Sequence, residues 1–184
     1  MLLFSFNADF LVCPNVYWYS CLDQAFFFNG TVVDDIVAHE MMHAVTHLTA
    51  DLIYQNQPGQ LNESFSDVFG ELIDLFNGNA AILANDFGPA WPGTATGPGW
   101  DDPSGARTEL CNDDLQYPDG LRWLIGEESD VFGGALRDMW NPTCYGMPDR
   151  ADHPLQTCPS VDNGGVHLGS SLPNPAFDIL KDGK

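Results

Sequence analysis

An α+β fold is predicted for this chain of 184 residues, and its helical part rests on three observations. His39 and His43 stand four apart with Glu40 beside the first, the spacing that puts two imidazoles on one face of a helix. The run from Leu61 to Phe76 places Leu61, Phe65, Val68, Phe69, Leu72, Ile73, Leu75 and Phe76 close to helical period. Between the two, Gln55-Asn56-Gln57-Pro58-Gly59-Gln60 reads as a helix end and turn, because Pro and Gly stop the first helix and let the chain return.

Along the rest of the chain the signals are local. Met1 to Phe10 starts apolar, but Asn7 and Asp9 interrupt it and no basic residue leads it, so it does not read as a signal peptide. Beyond Asn77, and as far as Leu121, the stretch is rich in Gly and Pro (Gly88-Pro89, Trp91-Pro92-Gly93, Gly97-Pro98-Gly99). It is expected to be a long surface excursion with little regular structure. Cys13 and Cys21 flank a short aromatic loop, Cys144 and Cys158 a loop with Pro and Gly. Pairing them so leaves Cys111 odd.

Composition narrows the class. A hydrophobic content of 44% with 12% aromatics is that of a globular core, in one sizeable domain or two small lobes. A formal net charge of −20, with no basic patch, repels nucleic acid and anionic membranes. A monomer is expected. Five cysteines suit an oxidising compartment, and the acidic surface suits a secreted or salt-tolerant protein. No transmembrane run is present.

The histidines carry the chemistry. Two neutral nitrogen ligands, a third ligand from elsewhere and a neighbouring carboxylate base are what zinc-assisted hydrolysis requires. A third histidine six residues after the second is excluded, since Thr46 and Thr49 fill that stretch. Nineteen residues separate His43 from Glu63. Glu63 and Asp67 are four apart and share a face of the second helix, so Glu63 is the candidate third ligand. Asp67 is placed to accept a bond from a ligand histidine and so fix its tautomer, with Asn62 as a further outer partner. Two solvated histidines on a surface helix are the plain alternative, which the Glu63 segment argues against. His47 lies about 6 Å further along the axis and about 40° round from His43, so it is not expected to be a ligand. His153 sits in a polar loop with no evident partner.

With these residues in view, the sequence closely resembles the thermolysin family of metallopeptidases. The matching stretches are Asp35-Ile-Val-Ala-His-Glu-Met-Met-His-Ala-Val-Thr46, Ala50-Asp-Leu-Ile-Tyr-Gln-Asn56 and Leu61-Asn-Glu-Ser-Phe-Ser-Asp-Val-Phe-Gly70. They continue in Leu124-Ile-Gly-Glu127, Gly134-Ala-Leu-Arg-Asp-Met139, Asn141-Pro142 and Asp162-Asn-Gly-Gly-Val-His167. The resemblance implies a thermolysin-like α+β architecture: the end of a β-rich N-terminal domain at 1–32, a central zinc helix at 33–54, and part of a helical C-terminal domain at 55–184, with the Gly/Pro-rich insertion at about 77–121. The family's scaffold is longer at both ends.

The resemblance also implies roles. His39, His43 and Glu63 would hold one catalytic zinc, and Glu40 would be the general base that takes a proton from the attacking water and passes it to the leaving amine. Tyr54 and His167 would donate to the oxyanion, with Asp162 orienting His167. Arg137 would bind the substrate carbonyl, and Asn15 the substrate backbone. Ile36, Ile125 and Leu136 would line the pocket for the side chain after the scissile bond, implying cleavage of peptides and proteins before bulky hydrophobic residues. Asp35, Asp74 and Glu127 match calcium ligands, with Glu128 nearby. Arg122 and Leu124 stand where a double calcium site has carboxylates, so one calcium at most is expected. The expected function is a secreted zinc endopeptidase; a zinc-binding fragment without turnover is the alternative.

Overall fold

The computed structural model describes residues 3–6, 15–77, 123–127, 129, 131–132, 135–156 and 162–182. The Gly/Pro-rich stretch beyond Asn77, Arg122 and Glu128 lie outside these, as do Cys13, Cys111 and Cys158 and with them both expected pairings.

Three strands come first: β1 (Leu3–Phe6), β2 (Val16–Tyr19) and β3 (Gln24–Phe28). β3 is central, parallel to β1 and antiparallel to β2. Aromatic and β-branched residues suit a pleated half-buried surface, and alternation decides which face each takes. Ala25 and Phe27 are buried, with Trp18 opposite Ala25 and Val16 opposite Phe27, large set against small. On the other face Tyr17 stacks on Phe26, ring centroids 5.1 Å apart.

The helix α1 runs Asp34–Leu48. Val33 caps it in extended conformation without a side-chain bond, and Asp34 and Asp35 in the first turn complement the helix dipole. Thr46 O then accepts from the N–H groups of Thr49 and Asp51, closing the end. Its buried face is unusual in being polar, with Asp35, His39, Glu40, His43 and Thr46 turned inward beside Ile36 and Ala44. Apolar Val37, Met41 and Val45 instead line a groove shared with Phe69 and Ile73. Polar side chains buried in this number require hydrogen-bond or ionic partners to offset the loss of water.

The second helix corrects an expectation. α2 spans Asn56–Asn77, so Pro58 and Gly59 lie inside its first turn instead of ending α1, which stops earlier, at Leu48. In the first turn the missing N–H of proline has no intrahelical partner to lose. The two helices meet at Gly70, where a Cβ would come within 2.7 Å of the Asp35 carbonyl oxygen. That close approach brings Glu63 and Asp67 over the histidines.

A two-stranded ribbon of β4 (Leu124–Ile125) and β5 (Arg137–Asp138) pairs Ile125 with Arg137. A 3₁₀ turn at Pro142–Tyr145 follows, then α3 (Asp162–Gly169) and α4 (Asn174–Asp182). The core joins Ala25, Phe27, Ile36, Val68, Trp123, Ile125 and Met139. Burying an isoleucine such as Ile36 or Ile125 contributes roughly 1.5–3 kcal/mol. The core therefore anchors the sheet, the start of α1 and the ribbon as one body.

Candidate metal centre

His39 and His43 project from α1 and Glu63 from α2, all buried. The two Nε2 atoms are 3.0 Å apart, and Glu63 oxygens lie 3.4 Å from His39 Nε2 and 3.3 Å from His43 Nε2. A tetrahedral zinc with arms of about 2.0 Å has edges of about 3.3 Å between ligand atoms, close to these separations. The His39 one runs to Glu63 Oε2 and the His43 one to Oε1, and one ligand atom from each residue lies within 4.8 Å of the others. Glu63 Oε2 is fully buried and without a hydrogen-bond partner, an acceptor that faces the His39 imidazole. Among the described residues, this is the group of His, Cys, Asp and Glu side chains whose ligand atoms converge. The donor set of two imidazoles and a carboxylate suits zinc.

Each histidine is held from behind. His39 Nδ1 lies 3.0 Å from Asp67 Oδ1, while His43 Nδ1 meets Asn62 Oδ1 at 2.8 Å and Ser66 Oγ at 3.1 Å. In the metal-free protein, burial lowers the His39 pKa but contacts with Asp67 and Glu63 outweigh it, pushing it up to about 10. Burial acts against the Glu63 carboxylate too, yet the two histidines hold it well below the usual range. Asp67 is likewise opposed by burial and brought down to about 2 by the Arg137 guanidinium and His39.

The expected catalytic groups stand around this triangle. Glu40 is 3% exposed with Oε2 unpartnered. Burial raises its pKa, and the charges of His39 and His43 and the Trp18 backbone N–H draw it back. The Tyr54 hydroxyl donates to Glu63 Oε1 and lies 3.4 Å from His167 Nε2, which is itself 3.4 Å from the same Glu63 oxygen. Burial and the Glu63 charge push the Tyr54 phenol upward, keeping it a donor. Asp162 binds His167 twice, Oδ1 to Nδ1 at 2.6 Å and Oδ2 to the backbone N–H at 3.1 Å. Asp162, Asn163, Gly164 and Gly165 all have positive φ, of 53°, 48°, 88° and 75°. Asp, Asn and Gly are the residues that tolerate this left-handed path, and it turns the chain so that His167 faces α2.

Arg137 is buried and donates to Asp67 Oδ1 through Nη2 at 2.6 Å and Nε at 3.1 Å. Ile36 and Ile125 are buried; Leu136 and Ile36 flank Gly126, next to Ile125. Asn15 is exposed at the start of β2 and its carbonyl accepts from Phe28 N–H at 3.3 Å. His47 lies outside the group, 3.3 Å from Asp51, and His153, expected to lack a partner, accepts from Leu155 N–H. Both Asp35 oxygens accept backbone N–H groups, from Ile36 and Gly126.

Several contributors escaped the sequence reading. Ser170 and Asn174 both donate to Asp67 Oδ2, at 3.3 and 2.9 Å, and nothing at a separation beyond a hundred residues announces them. Ser66 sits four after Asn62 on the same helix face, a spacing that could have flagged it. Glu71 is buried, with Oε1 accepting the Trp123 N–H at 2.7 Å and Oε2 without a partner. Burial and the charge of Glu127, with Asp74 and Asp35 further off, hold its pKa well above the usual carboxylate range.

Comparison with known proteins points one way. The family described as "Thermolysin metallopeptidase, alpha-helical domain" matches residues 50–88 and 105–184. A zinc metalloproteinase of Renibacterium salmoninarum is 34% identical over 180 residues, covering 94% of this chain and 26% of that protein. Neutral protease NprE of Bacillus pumilus is 36% identical over 157 residues, 84% of this chain and 37% of its own. The chain thus spans well under half of these relatives. Among solved structures, the precursor of protealysin, a metalloproteinase from Serratia proteamaculans, matches with a TM-score of 0.58 and 29% identity over 92% of this chain and 47% of the other.

Proposed function

Since the chain belongs to the thermolysin metallopeptidase family, we propose that it carries the catalytic centre of a secreted zinc endopeptidase that cleaves peptides and proteins before bulky hydrophobic residues. One observation carries the reading: Tyr54 and His167 converge on Glu63 Oε1, the oxygen that faces His43 Nε2, while Oε2 of the same carboxylate faces His39.

His39, His43 and Glu63 would hold the ion. Zinc supplies Lewis acidity, making water acidic near neutral pH and polarising a carbonyl. Glu40, buried and raised toward the basic side, accepts the proton of the attacking water and delivers it to the leaving amine. Tyr54 and His167 donate to the oxygen on which negative charge develops. Asp162 accepts a bond at the His167 Nδ1 side and so holds the ring with Nε2 toward the site. Arg137 serves the substrate carbonyl from its seat on Asp67, and Asn15 the substrate backbone beside β2. Ile36, Ile125 and Leu136 shape the apolar pocket. The protein acts as a monomer on this reading.

One calcium ion is proposed near Asp35, Asp74 and Glu127, with Glu71 added. A buried carboxylate among three others is unfavourable when ionised, and a hard cation offsets that charge.

The test is hydrolysis of an internally quenched peptide with Phe or Leu after the scissile bond, with zinc supplied. Turnover is expected, falling by about two to four orders of magnitude in Glu40→Gln and vanishing with a zinc chelator. A folded chain that binds one zinc yet never turns over would instead be a metal-holding module, which has no use for Glu40, Tyr54, Asp162 and His167 together.

A further inference from the structure

Asn62 alone cannot fix which ring nitrogen of His43 carries its hydrogen. Its side-chain amide presents oxygen or nitrogen on a flip, and so can serve either ring tautomer. Ser66 faces the same Nδ1 at 3.1 Å, and its hydroxyl also lies 3.0 Å from the Asn62 backbone carbonyl. A hydroxyl has one proton. When that proton goes to the carbonyl, an Oγ lone pair is left for His43.

We propose that Ser66 is a positioning residue that selects the His43 tautomer carrying hydrogen on Nδ1 and leaving Nε2 open to the metal ion. In that state Nδ1–H is shared between Asn62 Oδ1 and Ser66 Oγ, and the Ser66 proton goes to the Asn62 carbonyl. In the opposite tautomer Nδ1 needs a donor, so either the amide flips or the hydroxyl leaves the carbonyl, and whichever partner stays unturned then meets Nδ1 lone pair to lone pair. Ser66 is fully buried, so water does not replace the lost bond. Without Ser66 only the amide has to turn, and His43 divides between two states of which one cannot ligate. The inference rests on the zinc reading above.

The experiment compares the full chain with Ser66→Ala and Ser66→Thr. Zinc dissociation constants come from chelator competition, and the visible spectrum of the cobalt-loaded protein reports ligand geometry. Ser66→Ala is expected to weaken zinc about two- to tenfold, in proportion to the fraction of His43 left in the ligating tautomer, and to alter the cobalt bands, with the metal-free protein still folded. Ser66→Thr, which keeps the hydroxyl, restores both. Equal zinc affinity in Ser66→Ala and the unaltered chain overturns the proposal, as does a loss that threonine fails to restore. If Ser66→Ala does not fold, Ser66→Cys, which keeps the side-chain volume and is only a weak donor and acceptor, carries the same expectation. An unaltered chain that binds no zinc overturns the zinc reading itself, a result distinct from the other two.

Discussion

Asp67 accepts from or pairs with four side chains drawn from four segments: His39 of α1, Arg137 of β5, Ser170 just after α3, and Asn174 of α4. Removing one partner of a buried charge pair leaves the other uncompensated, at about 3–5 kcal/mol. Asp67→Asn is therefore expected to lose stability of that order in denaturant unfolding, along with zinc affinity. The pH dependence follows from the same contacts. Asp67 and Glu63 are depressed in the fold, so their contribution is present above the ordinary 3.8 and 4.5 and is lost as pH falls through the folded values. His39 is raised to about 10 without metal, so its contribution is complete below the ordinary 6.5 and lost as pH rises through 10. Thermal melts of metal-free protein should accordingly weaken on both sides of a window between 4.5 and 6.5. Zinc needs the neutral ring, so uptake at neutral pH must release a proton, measurable by calorimetry in buffers of different ionisation heat. At this scale the sequence was most legible where partners were four apart on one helix, as with His39 and His43. It was least legible for Ser170 and Asn174, whose partner is set by tertiary packing alone.

Among the elements, α3 has the most demanding backbone. Four successive residues hold positive φ, and a Cβ on Gly164 would lie 2.1 Å from Asn56 Oδ1. Left-handed backbone and overpacking each cost a substituted residue roughly 1–3 kcal/mol. Gly164→Ala is expected to lower thermal stability and, by displacing His167, to reduce turnover more than zinc affinity; comparing kcat with the zinc dissociation constant checks this. Asp162-Asn-Gly-Gly165 is a composition that suits such a path, but whether the path aims His167 at Glu63 is fixed only by the approach of α2. The start of α2 was misread for a related reason. Pro58 and Gly59 signal a break in general, yet a first turn accepts both. The second helix was readable from its apolar periodicity and the first from the spacing of His39 and His43; the short ribbon of β4 and β5 was not, since two residues per strand leave no pattern.

Across the whole molecule, acidic groups outnumber basic ones by twenty, and Glu71 brings one of them inside. A calcium ion near Glu71 is expected to raise the melting temperature by several degrees, and Glu71→Gln to remove most of that rise while melting higher without calcium; melts with calcium and with a chelator decide it. The seat of the metal also has a history in time. His39, His43 and Glu63 lie within one helical pair, close in sequence, whereas Arg137, His167 and Asn174 must cross much longer stretches of chain to arrive. Contacts between near residues form sooner, because closing a short loop loses less entropy. A refolding chain should therefore capture its ion before it can cut anything. Under the proposed endopeptidase function, stopped-flow refolding with cobalt would then show the metal's colour ahead of the first cleaved peptide, and an enzyme maturing in this order would spare its own unfolded copies.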